Sequence, residues 1–144
     1  MERFDAAINW FTSFGYHDDE TCKAIIAEYR RALKPGGRLL IETLHHDWIV
    51  RNLAPTASAS VARSGDDLMV DENVFDPLTS RINTVRTVIR DGEVRQSRHF
   101  VRLPTATEFR RWLIDAGFVD VTITASDGQP LTLARRRLMV VAQR

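Results

Sequence analysis

The sequence predicts an α/β fold: a parallel strand pair, an antiparallel carboxyl-terminal hairpin and an antiparallel β insertion on one rim of the sheet. Three observations predict it. "FDAAINW" and "RLLIET" are short, almost unbroken apolar runs on either side of one amphipathic helix, the pattern of a βαβ unit whose strands are buried on both faces. From Leu68 to Leu103 the apolar residues switch to period two around Asp91-Gly92, a hairpin signal. After a second helical segment, "FVDVTITA" and "RLMVVA" supply two further strands.

Each element has its own local reason. Phe4, Ala6, Ala7, Ile8 and Trp10 make the first strand, which Thr12, Ser13 and Gly15 break. Asp18 and Asp19 can cap a helix and Glu20 suits its first turn, where acids meet the positive end of the helix dipole. Cys22, Ile25, Ile26, Tyr29 and Leu33 then fall on one helical face. Arg30, Arg31 and Lys34 end the helix before Pro35-Gly36-Gly37, and Arg38–Thr43 is the second buried strand. The strand–helix–strand crossover is expected to be right-handed and its strands parallel. "HHDWIVRNL" starts a short helix, and residues 54–65, small and polar, read as a loop. "LMVDENVFD", "RINTVRTVI" and "EVRQSRHFV" are three antiparallel strands. Thr105 and Glu108 form a T-x-x-E capping box for a helix with Phe109, Trp112, Leu113 and Ala116 inside and Gly117 at its end.

At 144 residues the chain suits one domain, 1–144, with residues 54–103 as the loop and β insertion. Apolar residues are 44% and charged residues 27%, ordinary for a globular protein, and the net charge of +1 argues for neither nucleic acid nor a membrane surface. Cys22 is the single cysteine, which excludes an internal disulfide and a thiolate zinc site, and it sits on the inner helical face as a packing residue. No signal peptide or membrane span is read, so a cytoplasmic location is expected by default. The arginines from 81 to 98 alternate with apolar residues as the wet face of a hairpin, and Arg135-Arg136-Arg137 reads as a turn before the last strand.

"FDAAINWFTSFGY", a helix, "LKPGGRLLIET" and later "RLPTATEFRRWLIDAGF", in that order, resemble the second half of class I S-adenosylmethionine-dependent methyltransferases, in the branch acting on small molecules. The resemblance covers essentially the whole chain. It implies a partial Rossmann-like sheet that begins at the family's fourth strand, which accounts for an apolar strand so close to Met1. It implies S-adenosyl-L-methionine as methyl donor and a small-molecule acceptor. The family's glycine-rich donor loop and ribose-binding acid have no counterpart among glycines 15, 36, 37, 65, 92, 117 and 128, so donor binding is expected to need the missing amino-terminal half. The alternative is an inactive fragment or split-protein half acting as a non-enzymatic interaction domain. In either case Phe4–Trp10 is expected to be an apolar sheet edge prone to self-association or to pairing with a partner chain.

The resemblance also implies a site. Residues after the family's fourth strand line the donor, which here are Asn9, Trp10 and Phe11. Asn9 offers a donor and an acceptor at a strand's carboxyl end, and an aromatic there can cover adenine or face the sulfonium. Trp10 reads equally well as core. Ser13 and Tyr16 lie beyond, towards the acceptor, with Tyr16 alternatively capping the next helix. His45 is the candidate base, with a solvated histidine as the other reading. Arg102 would bind an anionic group on the acceptor or be an exposed strand-end charge. No metal site is expected, because adjacent His45 and His46 point in different directions.

Overall fold

The computed structural model describes residues 3–53 and 57–144. Its first sheet has the order β1-β2-β8-β7, built from β1 (Phe4–Asn9), β2 (Leu33–Leu44), β8 (Arg137–Gln143) and β7 (Val119–Ala125). β1 and β2 are parallel, while β8 runs antiparallel to both β2 and β7. α1 (Asp19–Ala32) and α3 (Ala106–Asp115) pack on one face of this sheet. The core there comprises Cys22, Ile26 and Leu33, then Leu39 and Ile41 of β2, Leu138 and Val140 of β8, and Phe109, Trp112 and Leu113 of α3. Each fully buried Leu, Ile or Phe contributes about 1.5–3 kcal/mol from apolar burial. Arg30 Nε donates to Gly117 O at 3.0 Å, tying the end of α1 to the end of α3.

The other face of the sheet is different. Alternation puts Ile8, Leu40, Met139 and Val141 on it, and none belongs to the core cluster. β1 is an edge strand, with Phe4 54% and Ile8 67% exposed. The expected apolar edge is therefore present among the described residues.

The Thr105–Glu108 capping box forms as expected, both halves of it present. Asp18 caps α1 by accepting from the Thr21 amide at 2.8 Å. Two boundaries differ from expectation. α1 stops at Ala32 rather than Lys34, because Pro35 pushes the residue before it out of the helical region, and the extended Leu33 then pairs with Phe4. The expected loop over 54–65 holds a strand, β3 (Ser58–Ser64), while residues 54–56 lie outside the described residues. β3 is exposed along almost its whole length, so no apolar face marks it in the sequence.

The insertion is a separate antiparallel sheet, β3-β4-β5-β6, with β4 (Asp67–Asp76), β5 (Arg81–Arg90) and β6 (Glu93–Arg102). The β5–β6 turn has Asp91 at φ 51° and Gly92 at φ 77°, both positive as a type I′ turn requires. Phe75, Ile82 and Val101 from one end of this sheet bury themselves against Ile49 of α2 (His46–Asn52) and against Leu103. Several of its arginines are matched by acids: Arg86 pairs with Asp71, Arg90 with Asp67 and Arg95 with Glu93. No helix among the described residues is long and apolar enough to cross a membrane.

Candidate functional site

The carboxyl ends of β1 and β2 lie side by side, with Asn9 paired to Ile41. Beyond Asn9 the chain makes an abrupt turn in which Phe11 (φ 58°) and Thr12 (φ 61°) are both left-handed. Two consecutive non-glycine residues in that region cost about 1–3 kcal/mol each and persist only where surrounding contacts enforce them. The contacts are visible. Phe11 N–H donates to Glu42 Oε2 at 2.9 Å, and Thr12 N–H donates to the Glu42 carbonyl at 3.1 Å. The Glu42 carboxylate, 2% exposed, also takes a two-pronged pair from Arg137, Nε to Oε1 and Nη2 to Oε2. Arg137 Nη2 reaches Thr12 Oγ1 at 2.8 Å, and its guanidinium lies 5.0 Å from the centre of the Phe11 ring.

The expected site residues separate into open and engaged ones. Trp10 and Phe11 are 51% and 77% exposed, so neither is core. Tyr16, also exposed, stacks on His99 of β6 with centroids 5.9 Å apart. Asn9 is engaged within the fold: Nδ2 donates to Tyr29 Oη at 3.0 Å, and Oδ1 lies 2.8 Å from Ser13 Oγ. Ser13 Oγ is also 2.9 Å from Trp10 O, so both polar groups brace the turn. His45 is 3% exposed, not solvated. Its Nδ1 lies 2.9 Å from Arg135 O, which assigns the ring proton there and leaves Nε2, 3.8 Å from Asp47, as the basic nitrogen.

Arg102 is not the exposed strand-end charge of the alternative reading. It is 6% exposed, and every guanidinium nitrogen is engaged: Nε and Nη2 with Asp19, Nη2 with Glu108, Nη1 with Leu103 O. It ties β6 to α1 and α3 rather than standing in solvent. Burial pushes Glu108 up, but the bonds from Arg102 and from the Thr105 backbone outweigh it and hold its carboxyl below the usual range. The Arg102 amide donates to Gly15 O at 2.7 Å, and a Cβ on Gly15 would stand 2.3 Å from Arg102 O. That contact, with φ at +106°, restricts the position to glycine and docks the Ser13–Tyr16 loop on β6.

Sequence reasoning missed Glu42, Arg137 and a polar wall on the second sheet. The signal for Glu42 was a single acid inside an apolar strand, and Arg137 was read into a turn. The wall follows from register. Asn73, Thr84 and His99 form one row and Asp71, Arg86 and Ser97 the next, on the face that buries Phe75, Ile82 and Val101 at its far end. Thr84 Oγ1 donates to Asn73 Oδ1 at 2.8 Å, and Arg86 grips Asp71 through two bonds of 2.7 Å, which hold that carboxyl below its ordinary value. Tyr16 on His99 joins this wall to the turn after β1. A cleft of about 570 Å³ opens over the opposite face, lined by Val74, Val85 and Phe100 among others.

No known family model matches the chain, and no curated protein does. Solved structures do match. An S-adenosylmethionine-dependent methyltransferase from Clostridium acetobutylicum superposes with a TM-score of 0.82 at 14% identity, covering 99% of this chain and 58% of that one. The CcbJ methyltransferase from Streptomyces caelestis gives 0.80 at 16%, over 98% and 57%. CalS10, an amino pentose methyltransferase from Micromonospora echinaspora involved in calicheamicin biosynthesis, gives 0.67 at 18%, over 99% and 59%. The fold is thus that of S-adenosylmethionine-dependent methyltransferases in part, the chain spanning somewhat under two thirds of each of these structures.

Proposed function

We propose that this chain carries the acceptor side of an S-adenosylmethionine-dependent methyl transfer to a small, hydroxylated acceptor of the amino-sugar kind. The observation that carries the reading is the pair of exposed aromatics, Trp10 and Phe11, held on a strained turn at the carboxyl ends of two parallel strands. Ligands in open α/β sheets bind at that position, and exposed π-faces suit both an adenine ring and a sulfonium. The donor supplies an activated methyl carbon, so the protein's task is alignment and exclusion of water. Bound here, the donor would offer that carbon to an acceptor amine or hydroxyl in line with its carbon–sulfur bond, the thioether being the leaving group, and the exposed Trp10 and Phe11 would align it. His45 Nε2 is the candidate to take the acceptor's proton, and because the side chain is buried it would do so only where the acceptor or a bridging water reaches it. The wall of Asn73, Thr84, His99, Asp71 and Arg86 offers alternating donors and acceptors, which suits several hydroxyls better than an apolar ring. Among the structures of like fold is one of an amino pentose methyltransferase.

Asn9 acts indirectly, by bracing the turn, and Tyr16 borders the acceptor. We assign the remainder of the donor's polar grip to a segment that pairs with the open edge of β1. A second reading, an interaction domain without catalysis, is favoured by that same edge, whose Phe4 and Ile8 are 54% and 67% exposed.

The test is methyl transfer from isotope-labelled S-adenosylmethionine to a panel of amino sugars and simple hydroxylated amines, with products read by mass spectrometry. Methylated product that requires the chain supports the proposal. Donor binding without any methylated product would sink the acceptor class. If neither binding nor turnover occurs, the interaction-domain reading stands instead.

A further inference from the structure

The pair of buried Glu42 and half-buried Arg137 joins three strands at one point. Glu42 lies near the end of β2, Arg137 opens β8, and Thr12 follows the end of β1. On the β2–β8 ladder Leu44 faces Arg137 and Glu42 faces Met139, so both charged side chains stand on the same face of the sheet. That is the face opposite the α1–α3 core, where no apolar packing requires an ion pair.

The pair is unusually placed for a stabilising element. Burying the Glu42 carboxylate is costly even with a half-buried Arg137 beside it, and a well-packed apolar pair in the same place is often as stable. What an apolar pair cannot do is bond the Phe11 amide and the Thr12 hydroxyl. Glu42 uses Oε2 for the Phe11 amide and its main-chain carbonyl for the Thr12 amide, while Arg137 takes the Thr12 hydroxyl. Every one of these contacts falls on the two left-handed residues. The guanidinium beneath the ring leaves Phe11 77% exposed at a set orientation.

We propose that Glu42 and Arg137 are positioning residues: a latch that enforces the left-handed Phe11–Thr12 turn and so presents Trp10 and Phe11 at the end of the sheet. The latch itself is read from this geometry alone; only its purpose, to shape the donor-facing surface, rests on the function proposed above. Methyl transfer is sensitive to alignment, so releasing the turn impairs use of the donor while the sheet stays intact.

Backbone amide exchange by NMR on the full chain tests this without any ligand. In Glu42→Gln the side chain still fills the site but loses its charge and one of its two equivalent acceptors. The Phe11 amide is expected to exchange about tenfold faster or more, and the Thr12 amide, whose main-chain acceptor is kept, to follow as the turn opens, while those of Leu40, Ile41 and Val140 keep their wild-type rates. Arg137→Lys, which keeps the charge but not the fork, is expected to release the same two amides. Unchanged exchange at Phe11 and Thr12 in both variants overturns the latch. A uniform rise across β2 and β8 also overturns it, by showing a merely structural pair, and so does failure of both variants to fold. Wild-type titration with S-adenosylhomocysteine is run alongside. If the wild type binds nothing while the two amides behave as expected, the functional reading falls and the latch stands.

Discussion

Replacing Arg102 with Met separates a structural arginine from an acceptor-binding one. Met keeps the apolar stem beside Trp112, whose ring centre lies 5.7 Å from the guanidinium, and removes the charge. The variant loses contacts of 2.8 and 3.2 Å to Asp19, 2.7 Å to Glu108 and 2.8 Å to Leu103 O. Removing one partner of a fully buried ion pair costs about 3–5 kcal/mol. Here the Asp19 and Glu108 side chains retain 42% and 37% of their surface, so water re-solvates them and the expected loss falls to about 2 kcal/mol. For a chain of this size that lowers Tm by about 4–8 °C. The assay is a circular-dichroism melt near neutral pH, repeated in acid. The Glu108 carboxyl titrates below its ordinary value of 4.5 in the folded protein. Its contribution is therefore complete above that value and is lost as pH falls through the lower, folded one. The gap between wild type and variant should narrow in acid. A Tm change of less than about 1 °C at neutral pH, or a gap that persists undiminished in acid, would refute this account of Arg102.

Other consequences follow from single contacts. Gly15→Ala places a Cβ 2.3 Å from Arg102 O at a backbone angle of φ +106°; a loss of about 2 kcal/mol or more is expected by urea denaturation. Cys22 is fully buried and burial pushes its thiol up, so it should resist a disulfide exchange reagent until the chain unfolds; rapid labelling in native buffer would contradict the packing of α1. Ile8→Lys puts a charge on the β1 edge where Ile8 is 67% exposed; sedimentation analysis should show less self-association than wild type, and an unchanged distribution would place association elsewhere.

What was legible in the sequence is what local physics dictates. Thr105 with Glu108, and Asp91 with Gly92, each specify their own backbone geometry within a few residues, and both form as expected. The parallel pair follows from apolar runs around one helix, and the edge position of β1 follows from the resemblance to the second half of a larger fold. β3 was not legible because its side chains are nearly all in water, so its alternation carries no apolar signal. At the carboxyl end of β1 the open placing of Phe11 was legible, while Trp10 read equally well as core and is in fact exposed. Long-range polar partnerships were not: Glu42 meets Arg137 across 95 positions and Arg102 meets Asp19 across 83. In one dimension Arg137 looks like part of a turn and Arg102 like a charge at a strand end. Nothing near either residue in the chain names its partner.

The most direct measurement is a titration of the isotope-labelled chain with S-adenosylhomocysteine, followed amide by amide. Because most of the donor's polar grip is assigned to another segment, only weak binding is predicted, with Kd of about millimolar, its shifts concentrated on Asn9 to Tyr16 and on Glu42 to His45. Amides unmoved there at saturating nucleoside, or shifts gathered instead on the α1–α3 face, would contradict it.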